Sequence, residues 1–175
     1  MRQGSKGMTV KVFVASVLLA LPVLALAADN TPDASFYKNA AEAGIAEVDA
    51  GNLAVEKASD SKVKDFGQMM VKDHTAANDK LKTIAAGKGI TLPTSASVGQ
   101  MATQAKLKVL TGQTFDNSYV KGQVKAHQDT VALLKKEIAS GQDPDAKSFA
   151  QSILPTVQAH LKAIRGISAQ TGTSK

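Results

Sequence analysis

Beyond residue 30 the sequence carries apolar residues every three or four positions in four long stretches, and each stripe is broken once by an ionisable side chain. The first stripe is Phe36, Ala40, Ala43, Glu47, Ala50 and Ala54. The second is Val63, Phe66, Met70, His74, Ala77, Leu81 and Ile84. The third is Val120, Val124, His127, Val131, Leu134 and Ile138. The fourth is Ala146, Phe149, Ile153, Val157, His160, Ile164 and Ile167. A 3.6-residue period marks an amphipathic helix. Four such helices hide their stripes only against one another, which is a helical bundle. Composition points the same way. Aromatics make up 4% of the chain, so the core is built from Ala, Val, Leu, Ile and Met, a mixture that favours helices over sheets.

Punctuation sets the element ends. Thr31-Pro32-Asp33 reads as a helix start, with Thr31 as N-cap and Pro32 in the first turn. Helices are expected over about 33–58, 61–86, 115–139 and 145–169. The polar break Ser59-Asp60-Ser61, the stop Gly87-Lys88-Gly89, the stop Ser140-Gly141-Gln142 and the restart Asp143-Pro144-Asp145 separate them. A short helix over about 100–110 follows the loop around Leu92-Pro93 and ends at Gly112. Pro155 is expected to kink the last helix. Short links make antiparallel hairpins, whereas more than twenty residues separate helices two and three. The expected fold is therefore all-α, a ferritin-like four-helix bundle with a long helix 2–3 crossover containing a short helix. A plain up-down-up-down bundle and a hairpin pair that dimerises are the alternatives.

Residues 1–27 read as a signal peptide. Arg2, Lys6 and Lys11 precede an apolar run from Val12 to Leu26, and Ala25-Leu26-Ala27 is a small-x-small cleavage site. Translation starts at Met1 or Met8. Residues 28–175 form a single domain, and the expected location is periplasmic, with outer-membrane association open. The apolar run of about 15 residues is short for a span of roughly 20, so no integral membrane span is expected in the mature chain. Removing the three basic residues leaves 18 basic against 15 acidic side chains, about +3 instead of +6. This evenly spread charge does not suit nucleic acid, which needs a clustered basic stripe. The chain has no Cys, which excludes disulfides, thiolate metal sites, cysteine nucleophiles and lipidated cysteines. Protein partners are not specified by sequence, and a homo-oligomer remains open.

Glu47, His74, His127 and His160 are the polar members of the four stripes, and the three histidines are all the chain has. At 1.5 Å per residue the expected helix ends put all four roughly 15–20 Å from the same end of the bundle. One carboxylate and three imidazoles are a four-ligand shell for one transition metal ion such as zinc, copper or iron. They are equally a hydrogen-bonded polar core that fixes helix register. Met70, Gln123 and Tyr119 are neighbours that would tune a metal site, Met70 as a soft donor and the other two by hydrogen bonding. Asp73 and Asp116 lie about one residue off the stripes, and Asp116 also reads as a first-turn acid of helix three. A di-iron centre is not expected. It needs two Glu-x-x-His pairs and two further Glu, and none of Glu42, Glu47, Glu56 and Glu137 stands three residues before a histidine. Ser-His-Asp and phosphate-loop patterns are absent from the sequence.

Three motifs in order resemble the family called domain of unknown function 4142. They are Met69-Met70-Val71-Lys72-Asp73-His74-Thr75 with Asn78 and Leu81, Phe115-Asp116-Asn117-Ser118-Tyr119-Val120 with Gln123-Val124-Lys125-Ala126-His127, and Leu154-Pro155-Thr156-Val157-Gln158-Ala159-His160-Leu161. Leu92-Pro93 fits the family's loop, and the resemblance spans about residues 34–168. It implies a ferritin-like bundle exported in bacteria, in a family often labelled outer-membrane or periplasmic. It carries the family's histidines to His74, His127 and His160 and its helix-one acid to Glu47. It implies no assigned activity. Three functions follow: metal handling or envelope stress protection through a buried Glu/His cluster; a non-catalytic structural or partner-binding bundle; and a metal-dependent enzyme, which would need an open coordination position and a substrate cleft.

Overall fold

A computed structural model describes residues 33–171, together with Met1. The expected signal peptide, Thr31 and Pro32 lie outside the described residues. Five helices follow in order: α1 Ala34–Lys57, α2 Ser61–Gly87, α3 Val98–Lys108, α4 Gly112–Ser140 and α5 Pro144–Thr171. The four long ones form a ferritin-like bundle, and α3 lies in the long connection between α2 and α4. The tightest pairs are α1 with α2 and α4 with α5, because a link of a few residues folds each pair back on itself.

The crossover topology is pinned by one side chain. Asp116, in the first turns of α4, accepts hydrogen bonds from the backbone N–H of Ser59 (3.1 Å) and Asp60 (2.9 Å) and from the Ser59 hydroxyl. The start of α4 therefore sits at the α1–α2 link, where α2 also starts, and the two run parallel. α3 brings the chain back along the bundle to reach that end. Its own start is fixed by a capping box between Ser97 and Gln100, and Leu107 anchors it to the core.

Several ends differ from the sequence reading. The N-cap residue of α1 is Asp33, in a left-handed conformation (φ 63°) and without a side-chain cap hydrogen bond. The Asp33 carboxylate instead accepts from the backbone N–H of Gln142 and Asp143, both at 2.7 Å, and so ties α1 to the α4–α5 link. α4 starts at Gly112, three residues before the expected 115, with Thr111 as N-cap and its carbonyl accepting from the Phe115 N–H at 3.3 Å; Gly112 takes a positive φ of 56° at no steric cost. α5 continues through Pro155, which faces solvent. Water there can serve the carbonyl that proline leaves without a donor.

The core is two apolar layers with a polar layer between. Toward the α1–α2 link lie Ala54, Val63, Phe66, Met70, Phe115, Tyr119, Val120 and Ile164. Toward the α4–α5 link lie Phe36, Tyr37, Leu81, Leu134, Phe149 and Val157. Tyr37 lies outside the predicted stripe yet is fully buried, with its hydroxyl donating to Asp143 Oδ2 at 2.9 Å. Close approach of α1 and α2 depends on Gly51 and Gly67. A Cβ on Gly67 would stand 2.7 Å from the Ala54 Cβ and 2.8 Å from the Gly51 carbonyl oxygen.

Candidate metal centre

The polar layer gathers Glu47 from α1, His74 from α2, Gln123 and His127 from α4, and His160 from α5, all buried. The sequence spacing explains the level. On every long helix the polar residue is flanked on both sides by members of the two apolar layers, for example Met70 before His74 and Leu81 after it.

The three imidazoles form a compact triangle with ring centroids 5.6–5.8 Å apart. One ring nitrogen from each lies within 4.8 Å of the other two. Phe66 closes one side, its ring edge-on to His127 at 5.9 Å and to His160 at 6.4 Å. Hydrogen bonds set two of the tautomers. His127 Nδ1 donates to the Gln123 backbone carbonyl at 3.0 Å, which leaves Nε2 with its lone pair bare. His160 Nε2 donates to Asp73 Oδ2 at 2.9 Å. The carboxylate oxygen accepts, so Nδ1 is the His160 nitrogen left without a partner. His127 Nε2, His160 Nδ1 and His74 Nε2 are all buried without a hydrogen-bond partner.

Burial also keeps His74 and His127 neutral. It lowers the pKa of His74 to about 3, helped by the charges His127 and His160 would carry. It lowers that of His127 to about 4, against the pull of the Gln123 carbonyl. At neutral pH these are unprotonated nitrogen donors.

Glu47 stands outside the triangle. The grouping of nitrogen and carboxylate donors contains three histidines and no acid. Glu47 Oε1 lies 3.9 Å from His127 Nδ1, the nitrogen already turned toward the backbone. Burial raises the Glu47 pKa to about 7, and a hydrogen bond from Gln123 draws it part of the way back. The Tyr119 hydroxyl is buried and unpartnered, and its pKa is pushed well up by burial and by the nearby Glu47. Met70 packs in the apolar layer toward the α1–α2 link. The periodicity assigned no role to Asp73, the partner of His160. It is one residue off the stripe, and only the seam between α2 and α5 brings it to the imidazole.

A cleft of about 360 Å³ opens on this triangle from outside. It is lined by Asp73, His74, Ala77, Lys80, Thr156 and His160, with neighbouring residues of α2 and α5. A second, larger cleft of about 530 Å³ lies between α1, α2 and the α2–α3 loop, away from the histidines.

The donor set suits a transition metal. Nitrogen–metal bonds of about 2.0–2.1 Å place neighbouring tetrahedral ligands roughly 3.4 Å apart, so nitrogens within 4.8 Å of one another need only a small inward shift. A core of protein hydrogen bonds alone fits less well. Glu47 Oε2, Tyr119 Oη and Gln123 Oε1 are unpartnered in addition to the three ring nitrogens, and each unmade buried bond costs about 1–3 kcal/mol.

Fold and site together define a ferritin-like bundle with a buried three-histidine centre. The chain belongs to the family described as domain of unknown function DUF4142, whose model matches residues 20–167. A comparison with curated proteins finds no match. Among solved structures the chain is similar to a DUF305 protein from Streptomyces coelicolor, at 14% identity over 80% of this chain and 92% of that one, with a TM-score of 0.68. It is similar to a DUF305 fragment from Deinococcus radiodurans, at 13% identity over 79% and 95%, with a TM-score of 0.70. CopM in its Cu(I)-bound form matches at 16% identity over 79% and 96%, with a TM-score of 0.66, and CopM is also solved with Cu(II) and with Ag. At these identities the likeness is one of fold. No helix of the described residues is long and apolar enough to cross a membrane.

Proposed function

We propose that this chain is an exported metal-handling bundle that binds one transition-metal ion through His74, His127 and His160. The observation that carries the reading is the triangle of three buried histidines, each with an unpartnered ring nitrogen, brought together at the level where every helix breaks its apolar stripe. Glu47 and Gln123 act behind His127, Asp73 acts behind His160, and Tyr119 and Met70 pack beside the centre. Copper is the favoured ion. Imidazole donors suit it, and CopM, which shares the fold, is solved with copper and silver bound. Residues 1–27 would direct the chain out of the cytoplasm, with residues 28–175 as the single working domain.

The test is metal content of the untagged chain, measured by plasma mass spectrometry after incubation with copper, zinc or iron and removal of excess. One ion per chain is expected, lost in His127→Ala. Thermal stability should rise with ligand excess, by about 2.7 kcal/mol at a hundredfold excess over Kd. Metal far below one per chain, with a melting temperature unmoved by all three ions, would refute the reading.

A further inference from the structure

Three protein nitrogens leave one corner of a tetrahedral shell empty. No fourth histidine or carboxylate joins the grouping among the described residues. Glu47 stands by the wrong nitrogen of His127, Asp73 is tied to the far nitrogen of His160, and Phe66 walls off one side.

The outer side is different. His74 and His160 line the cleft between α2 and α5, while His127 lies beneath and does not. The triangle is thus covered on its bundle side and open on its cleft side. The cleft, at about 360 Å³, is ample for a small molecule, since a water takes roughly 30 Å³.

Charge narrows the class of molecule. The donors within the triangle are imidazoles and carry no negative charge. Asp73 on His160 and Glu47 beside His127 lie close, but neither joins the triangle, so a divalent ion held there still gains from an anion that binds it directly. Lys80 lines the same cleft, and its ammonium is held across the α2–α5 seam by the Ser152 hydroxyl at 2.8 Å. It is the cationic side chain of the lining and sets a positive charge against that of Asp73, which is tied to His160.

We propose that the α2–α5 cleft is a binding site for a small monodentate anion, which enters beside Lys80 and Thr156 and takes the fourth position on a divalent ion held by the three histidines. This rests on the metal reading above. It adds that the centre is open to exogenous ligands from one side only, so exchange of the bound ion also runs through this cleft. A monovalent ion, with half the charge to offset, calls for the anion far less.

Azide is the probe. The full chain is loaded with Cu(II) and titrated with sodium azide, with the azide-to-copper charge-transfer band and the electron paramagnetic resonance spectrum as readouts. A saturating band and a shifted copper spectrum are expected. Thr156→Trp and Ala77→Phe, which fill the cleft from opposite helices, should each weaken azide binding tenfold or more in protein carrying one copper. Lys80→Met should weaken it several-fold and flatten its dependence on salt. One copper bound per chain with spectra indifferent to azide overturns the anion site and leaves the metal reading standing. An azide band undiminished in both cleft-filling variants overturns the cleft as its location. Failure to bind copper or any other divalent ion overturns both readings together.

Discussion

The carboxylate of Asp73 on α2 stands 2.9 Å from Nε2 of His160 on α5. The pair spans the seam at the cleft mouth and turns the other nitrogen of that imidazole to the interior. Carboxylates in this position orient a ligating histidine and raise its basicity, and losing one typically costs 10–100-fold in metal affinity. Asp73→Ala should therefore weaken copper binding by about that range. Asp73→Asn, which still accepts from Nε2 but lacks the charge, should fall between. Competition titration against a chelator of known affinity measures both, and equal affinity in all three proteins would remove Asp73 from the site.

Glu47→Gln separates a ligand from a neighbour. The folded pKa of Glu47 is raised to about 7, above the free value of 4.5. The folded state thus holds its proton more tightly, and this contribution is present below about pH 4.5 and lost as pH rises through 7. The glutamine variant escapes that loss, so it should be more stable than the parent at pH 8 by roughly 1–3 kcal/mol and nearly equal at pH 4.5. Chemical denaturation at the two pH values gives the difference. Copper stoichiometry should remain one per chain, because the carboxylate lies outside the histidine triangle.

The histidines titrate in the opposite sense. Burial lowers His74 to about 3 and His127 to about 4, so the unfolded chain takes up these protons first. Their stabilising effect is intact above about pH 6.5 and is lost as pH falls toward 3. Between 4.5 and 7 Glu47 works against them, so the acid loss of stability should be shallow there and steep below about pH 4.5. Protons should likewise compete poorly for these two nitrogens, so the steepest loss of copper affinity should fall below about pH 4, where both titrate. Isothermal titration from pH 7 to below about 4 tests it; a loss steepest between 7 and 6 would contradict the buried, neutral imidazoles.

Asp116→Ala should destabilise without touching the metal. It removes the acceptor for Ser59 and Asp60 at the α1–α2 link, a loss of about 1–3 kcal/mol for a buried charged acceptor serving a helix start. A lower denaturation midpoint with unchanged copper content is the expected pair of results.

Gly67→Ala should cost about 1–3 kcal/mol by overpacking, since the added methyl meets backbone and the Ala54 Cβ below 3 Å and neither can turn away. Gly122, with open space around its Cβ position, is the matched control; there the same change should be neutral or stabilising, because alanine is the better helix former.

Local chemistry made much of the bundle legible. Stripe spacing, the Ser59-Asp60-Ser61 break and the length of the connection after Gly87 all act within a few residues, and they lead to four long helices and a crossover. Asp33 shows the limit. Its neighbours read as a conventional helix start, but its carboxylate is engaged by Gln142 and Asp143 more than a hundred residues away. Asp116 is the same case, since its partners belong to another helix pair.

The site divides along the same line. The sequence by itself determined that three histidines and Glu47 face inward at one level, because helical period and rise are properties of each segment alone. Only the tertiary structure decided which of them meet. A side-chain tip stands several ångströms off its helix axis, so a rotation of about 20°, the drift of one heptad, carries it roughly 2–3 Å. That is the whole difference between a ligand and a neighbour. Packing turned His74, His127 and His160 onto a common point, left Glu47 behind His127, brought Asp73 to His160, and opened the triangle on the α2–α5 side.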